Sequence, residues 1–346
     1  MGRNDLNDRQ NWIDTAKFIG MYAIYLGHLG GAAGPSFNFV FGFHVPLFFF
    51  LSGCTENYSK ELNFPRYTLK KARNLLLPWL IGGLICIAIN MIVNSFNQGQ
   101  IINQLIVLFR GTIRNHFFAP EYWFLTALFI VQITFWPLKK IDNKIIMLIA
   151  SVIIWLFSQF CIKPHPISEP HMLFNIDSAA YYFLFYMLGY VFYPFVCSWF
   201  KMDTKIKKVL FILMGVLSSV YTFYFYLGIN LEYKLAFLPP ITFAIMPIQI
   251  IILMLWVLII SYLMSGVMLF NYLGKESIWL CLNGWPVKVV LPYMLSIFNL
   301  DCQPKNPFSA HIYTVIMVLF VVFIMVPFEK KMIISIKTKM KIREGI

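Results

Sequence analysis

Residues 75–94 read LLLPWLIGGLICIAINMIVN, a run of 20 residues without a charged side chain. A helix needs about 20 apolar residues to cross the hydrocarbon core of a bilayer. Lys70, Lys71 and Arg73 stand directly before this run. A basic cluster beside an uncharged run is typical of a transmembrane helix whose basic end lies in the cytoplasm.

Apolar runs alternate with charged connections along the whole chain. Of its 346 residues, 59% are hydrophobic and 12% are charged, whereas soluble domains carry about 25% charged residues. A soluble protein of this length could not bury so much apolar surface, so the pattern predicts an all-α polytopic membrane protein with about ten transmembrane helices. The predicted spans are Trp12–Gly31, Phe37–Gly53, Leu75–Asn94, Tyr122–Leu138, Ile145–Ile162, Ala179–Phe200, Val209–Leu227, Pro240–Met264, Ser277–Ile297 and Ala310–Pro327.

The net charge of +13 predicts how the chain is oriented. With the N-terminus in the cytoplasm, 21 of the 28 Lys and Arg residues fall on the inner side and five on the outer side, while Lys17 and Lys288 lie within spans. This asymmetry predicts cytoplasmic N- and C-termini and a basic cytoplasmic tail over residues 329–346. It also favours the lipid bilayer, and not nucleic acid, as the partner of the basic charge.

The six cysteines form no CxxC pair, and most lie in or beside apolar runs. They are interpreted as small apolar residues. No metal site or disulfide framework is therefore predicted.

The first predicted span carries three ionisable side chains, Asp14, Lys17 and His28. Such residues are costly within a membrane and indicate function. Lys17 and His28 are eleven positions apart, so a continuous helix would place both on one face, about 16 Å apart along the axis. Asp14 would lie near the same face. A neutral imidazole at that depth can act as a general base. The alternatives are that Asp14 and Lys17 reach to the membrane interface and that His28 makes an interhelical hydrogen bond.

The second predicted span contains the run FHVPLFFFLSG at residues 43–53. Pro46 leaves one backbone carbonyl without its donor and predicts a bend in the helix. His44 is a second histidine within a span. Taken alone, it is more typical of a packing or hydrogen-bonding residue than of a catalyst.

Together these motifs resemble the acyltransferase 3 family of membrane-bound O-acyltransferases, and most of all its sugar O-acetylase branch, which includes the fucose 4-O-acetylases. The resemblance rests first on Lys17, His28 and the FHVPLFFFLSG run. It implies a single acyltransferase domain over residues 1–346, with its catalytic motifs in residues 12–80. Further matches are Lys70–Lys71–Ala72–Arg73, Leu77–Pro78–Trp79, Tyr122–Trp123–Phe124–Leu125 and Leu273–Gly274–Lys275–Glu276–Ser277.

The resemblance implies that an acyl group passes from cytosolic acyl-CoA to an acceptor hydroxyl on the far side of the membrane. His28 would be the catalytic base or a transient acyl acceptor, with Asp14 as the acidic residue upstream. Lys17 would contact the acyl donor, and Lys70 and Arg73 would bind the phosphates of coenzyme A. No bound cofactor is expected, and acetyl-CoA would be the co-substrate.

The chain departs from the family's pattern at three places. Lys17 stands where the family more often has Arg, and a lysine cannot make the bidentate phosphate contact of a guanidinium. Residues 282–286 read LNGWP and lack the histidine that the family often has after its late motif. Leu128 stands where a branch fused to hydrolase-like domains has Glu, which disfavours a peptidoglycan-modifying enzyme.

The acceptor is expected to bind among the outer loops and span edges, at Glu121 and Asp177, with His44 and Trp123 as further acceptor-site or structural residues. An aromatic belt at the membrane interface is the alternative interpretation of Trp123.

The sequence therefore predicts a multi-pass O-acetyltransferase of the cell (inner or plasma) membrane. Its expected acceptor is a sugar hydroxyl of a surface polysaccharide or exopolysaccharide, and its expected partners include glycan-synthesis machinery. The alternatives are a polysaccharide or small-molecule transporter, a non-catalytic partner of a glycan synthase, and transfer of a succinyl instead of an acetyl group.

Overall fold

A computed structural model describes residues 10–57, 62–93, 97–229, 239–299 and 303–331, with only the backbone described for residues 239–244. Lys234, Cys302 and residues 332–346 of the predicted tail lie outside these ranges. The described residues form helices and turns without a strand. The helices are α1 Asn11–Gly27, α2 Pro35–Phe41, α3 His44–Glu56, α4 Phe64–Val93, α5 Gln98–Phe109, α6 Trp123–Leu138, α7 Lys144–Phe160, α8 Ile176–Phe200, α9 Lys205–Tyr226, α10 Pro239–Leu263, α11 Met268–Lys275, α12 Ser277–Ile297 and α13 Pro307–Phe320.

The prediction of an all-α, multi-pass membrane protein is confirmed. Within the described ranges, seven helical segments are long and apolar enough to cross a membrane. The remaining three predicted spans correspond to α1, α6 and α7, which have 17, 16 and 17 residues. The count of ten spans and the orientation of the termini therefore stay predictions. The seven segments are Pro35–Glu56, Phe64–Val93, Leu173–Phe200, Lys205–Tyr226, Ile245–Leu263, Ser277–Ile297 and Pro307–Lys331.

The first helix ends earlier than the predicted span. The helix α1 stops at Gly27, His28 caps it, and a short 3₁₀ turn follows over Gly30–Ala33. Gly30 and Gly34 have φ angles of 60° and 55°, which glycine adopts without the steric cost that other residues have. His28 therefore follows the helix and does not lie inside it.

The second predicted span is broken into two helices. The chain leaves α2 after Phe41 and starts α3 at His44, so the break lies upstream of Pro46. Pro46 is the third residue of α3, where a backbone N–H has no partner within the helix. Its missing donor therefore costs little, and the bend predicted at Pro46 is wrong in position.

Close backbone contacts hold the centre of the molecule together. The helices α3 and α8 approach so closely that a Cβ on Gly53 would lie 2.0 Å from the Tyr186 carbonyl oxygen, and one on Gly189 would lie 1.9 Å from that of Phe50. In the same way, Gly274 of α11 lies against the backbone of Asp14 in α1. The helices α1 and α3 also lie side by side, since a Cβ on Gly20 would lie 2.7 Å from Phe48 Cε2. Both are largely buried, whereas α9 is mostly exposed.

Candidate active site

A cavity of about 560 Å³ lies between α1, α3, α6, α12 and the connection that leads from α5 to α6. On α1 and its cap, the lining positions include 17, 21, 24 and 28, and on α3 they include 44, 48 and 52. Steps of three and four residues keep side chains on one helix face. The face shared by Lys17 and His28, which their spacing predicts, is therefore the face of α1 that lines the cavity.

Glu121 lies beside His28 in this cavity. It precedes α6, and its side chain is 3% exposed. Lys288 of α12 donates a hydrogen bond of 3.2 Å from Nζ to Glu121 Oε1, and His28 Nε2 lies 3.9 Å from the same oxygen. The backbone N–H of Glu121 also lies near its own carboxylate. Oε2 is buried and has no hydrogen-bond partner among the described residues.

The helix α12 leaves room for the Glu121 carboxylate. A Cβ built on Gly284 would lie 2.8 Å from Glu121 Oε1, so any larger residue would have to displace the carboxylate. Cys281 contacts the main chain at the same place, with Sγ 3.9 Å from the Glu121 carbonyl oxygen. Gly284 belongs to the LNGWP segment, where the expected histidine is missing.

His44 also lines the cavity and is 4% exposed. Its Nδ1 lies 2.7 Å from the carbonyl oxygen of Val40. Because a carbonyl only accepts, Nδ1 carries a proton and donates. The ring of Phe41 makes edge contacts with both histidines, at centroid distances of 6.2 Å from His28 and 5.0 Å from His44. The two imidazoles thus flank one phenyl ring.

Trp123 and Arg114 form another part of the cavity wall. The guanidinium carbon of Arg114 lies 4.8 Å from the centroid of the Trp123 ring, a cation–π contact. Asn175, fully buried, accepts a hydrogen bond of 2.8 Å from the Arg114 backbone N–H. Its amide group donates to the Gly111 carbonyl and to the Thr126 hydroxyl, both at 2.9 Å. Asn175 therefore fixes the backbone that presents Arg114 and Trp123.

Asp14 supports Lys17 from behind the cavity wall. Asp14 is 1% exposed, and its Oδ1 lies 3.9 Å from Lys17 Nζ. The next residue, Thr15, donates a hydrogen bond of 2.8 Å to Asn271 of α11. Asp14 itself does not belong to the cavity lining.

Four of the sequence-predicted site residues lie away from the cavity lining, namely Asp14 and three others. Lys70 and Arg73 are exposed on α4, and their binding of coenzyme A stays a prediction. Asp177 is fully buried, and its Oδ2 accepts the backbone N–H groups of His171 and Met172 at 2.8 and 3.0 Å. The carboxylate of Asp177 therefore caps a turn of the chain.

Sequence reasoning missed the roles of Lys288 and Arg114. Lys288 gave a usable signal, because it is an ionisable residue within a predicted span. Its partner Glu121 is 167 positions away, so the pairing could not be inferred from local pattern. Arg114 is one of the five basic residues on the predicted outer side, and nothing in its local sequence distinguishes it from the others. In the described part of the chain, no group of three or more His, Cys, Asp or Glu side chains could hold a metal ion.

Comparison with known proteins gives one finding. The sequence model of a family described as an acyltransferase domain, acyltransferase 3, matches residues 10–329. This match includes every residue of the cavity. No curated protein and no solved structure matches the chain significantly.

Proposed function

The chain belongs to the acyltransferase 3 family, since the family's model spans well over half of it, and on this premise we propose that it is a membrane O-acetyltransferase. The proposed donor is cytosolic acetyl-CoA. The proposed acceptor is a sugar hydroxyl of a surface polysaccharide or exopolysaccharide, and the proposed location is the cell membrane.

One observation carries the proposal: a single cavity is lined both by Lys17 and by His28. Lys17 lies on α1 and His28 is its C-cap, eleven positions further along the chain, a separation of about 16 Å along the axis. The distance suits a donor whose charged end stays near Lys17 while its thioester reaches the imidazole. The exposed Lys70 and Arg73 are on α4, where the nearby Leu75 also lines the cavity. They would hold the phosphates outside the cavity.

In the proposed reaction, His28 removes the proton of the acceptor hydroxyl. The hydroxyl oxygen bonds to the thioester carbonyl carbon, the carbon–sulfur bond breaks, and the thiolate of coenzyme A takes the proton from His28. The imidazole is positively charged between these two proton transfers. Glu121, 3.9 Å from Nε2, would stabilise that charge, because opposite charges interact strongly where water is excluded.

Replacement of His28 by Ala tests the proposal. The purified full-length variant in nanodiscs should lose about 10²- to 10⁴-fold in acetyl transfer, the usual contribution of a general base. The measurement is release of free coenzyme A together with mass analysis of the acceptor sugar. His116→Ala is the control, because His116 is exposed and does not line the cavity. A His28→Ala protein that acetylates at the wild-type rate would remove His28 from the mechanism.

A further inference from the structure

Arg114 is a cation of the cavity wall that has no acidic partner among the described residues. Lys17 lies 3.9 Å from Asp14, and Lys288 lies 3.2 Å from Glu121. By contrast, Arg114 forms no ion pair with any Asp or Glu of the described residues. Arg114 is half-buried, so its charge is only partly screened by water, and an anion from outside the chain would be bound favourably here.

The guanidinium has one donor group still to satisfy. Its carbon lies against the Trp123 ring, and the Tyr182 hydroxyl is a hydrogen-bonding neighbour. Nη1 is buried and has no hydrogen-bond partner among the described residues. A buried N–H group without an acceptor is unfavourable. An acceptor oxygen supplied by a ligand would remove that cost.

The loop that carries Arg114 is held in one conformation. Gly111, Thr112 and Asn115 have positive φ angles of 91°, 47° and 67°. Hydrogen bonds fix this backbone, namely those of Asn175 and one of 3.1 Å from Trp79 Nε1 to the Thr112 hydroxyl. Because the backbone around Arg114 is already ordered, ligand binding does not have to restrict it, and the entropic cost of binding is lower.

We infer that Arg114 forms an anion subsite in the acceptor part of the cavity, and that the acceptor sugar carries a carboxylate or a phosphate. The inference rests on the proposed function, since it names the acceptor class of the same site. A guanidinium fork matches both anions in a bidentate geometry. Trp123 adds an aromatic face beside it. Arg114 lines the same cavity as His28 and His44, so a bound anion would lie in the cavity that holds both histidines.

Paired acceptors test the inference in the full-length protein in nanodiscs. The probes are the methyl glycosides of glucose, galactose and mannose, each compared with its uronic acid and with its 6-phosphate. Free coenzyme A and acylated sugar are measured with acetyl-CoA as donor. The acidic member of at least one pair should have a higher kcat/KM than its neutral partner. The comparison of the uronic acids with the 6-phosphates shows whether the subsite prefers a carboxylate or a phosphate.

Substitution of Arg114 connects this preference to the residue. Arg114→Gln should lower kcat/KM for the acidic acceptor about 10- to 100-fold, the value of hydrogen bonds to a charged group, and should leave the neutral acceptor nearly unchanged. Arg114→Lys keeps the positive charge but loses the bidentate geometry of the guanidinium. Its kcat/KM for the acidic acceptor should therefore lie between those of wild type and Arg114→Gln. Arg110→Gln is the matched control, because Arg110 belongs to the same connection but is exposed and outside the cavity lining.

Two further measurements separate the possible failures. Direct binding of the acidic and neutral glycosides, without acetyl-CoA, reports on the subsite even if no acyl transfer occurs. Equal binding and equal transfer for all pairs would overturn the subsite and leave the proposed function standing. Succinyl-CoA is tested with the neutral acceptors. A loss confined to succinyl transfer in Arg114→Gln would also overturn the inference, because Arg114 would then bind the donor's carboxylate.

Discussion

Glu56 and Glu121 are both buried carboxylates with two basic neighbours, but their surroundings differ. Glu56 is 1% exposed, and Lys71 Nζ and the Tyr186 hydroxyl lie 2.6 and 3.3 Å from its Oε2. Lys139 Nζ lies 3.7 Å from its Oε1. Each oxygen of Glu56 thus has a partner. Glu121, in contrast, has one oxygen near both Lys288 and His28 and one that makes no hydrogen bond to any described residue.

The difference separates an ion cluster whose carboxylate oxygens both have partners from the cluster to which the proposed mechanism assigns a role in catalysis. Glu56 does not line the cavity and ties together α3, α4 and the end of α6. Glu121 lines the cavity and faces a histidine whose charge would change during proton transfer. Buried polar atoms that have partners rigidify a fold, whereas an unsatisfied one calls for a further explanation such as a ligand. Three substitutions can break or sharpen this comparison.

Glu56→Ala should have the largest effect, and the effect should be on stability. The substitution leaves Lys71 and Lys139 without their buried carboxylate, and removing one partner of a buried pair costs about 3–5 kcal/mol. The apparent melting temperature in detergent, followed by tryptophan fluorescence, should fall clearly, while the protein that remains folded keeps its specific activity. Asp203→Asn is the control, because the exposed Asp203–Lys207 pair contributes little. An unchanged melting temperature would show that the Glu56 cluster is not structural.

Glu121→Gln should have the next largest effect, and the effect should be on catalysis. The amide keeps the shape of the side chain but removes the negative charge beside His28. A fall in kcat of about 10²- to 10³-fold is expected, as for loss of one group that stabilises charge in a transition state. The melting temperature should stay close to that of wild type.

Glu329→Gln is the control for the second substitution. Glu329 is a half-buried carboxylate that accepts a hydrogen bond of 3.2 Å from Asn283, but it does not line the cavity. Similar losses of activity in both Gln variants would mean that Glu121 has no special role.

Gly284→Ala should have the smallest effect of the three. Its Cβ would lie 2.8 Å from Glu121 Oε1, so the carboxylate must shift by a few tenths of an ångström. Displacement of a catalytic group by 1 Å can cost about 100-fold, and this smaller shift should lower kcat by about tenfold. Gly266→Ala provides the comparison, because a Cβ there meets nothing within 4 Å. Equal rates for the two variants would argue against a precise position of Glu121.

The sequence predicted which residues of α1 line the cavity better than it predicted the cavity residues of the other elements. The stripe of Lys17 and His28 follows from helical period alone, because it involves residues of one element. The predicted span ends too late, because residues 28–31 contain no Asp, Glu, Lys or Arg to mark its end, whereas the helix stops at Gly27 and a turn with Gly30 at positive φ follows. In the second span, Pro46 predicted a bend, but its place in the first turn of α3 removes the cause.

Membrane character, helical class and the histidine stripe were set by the sequence alone, because hydropathy and period are properties of short continuous segments. The convergence of Glu121, Lys288 and His28, and the position of Arg114 against Trp123, were decided by tertiary structure. These contacts join segments up to 167 positions apart through side chains whose partners no local pattern specifies. Which of two buried glutamates has an unsatisfied oxygen depends on packing in three dimensions, and the chemistry of the site depends on that difference.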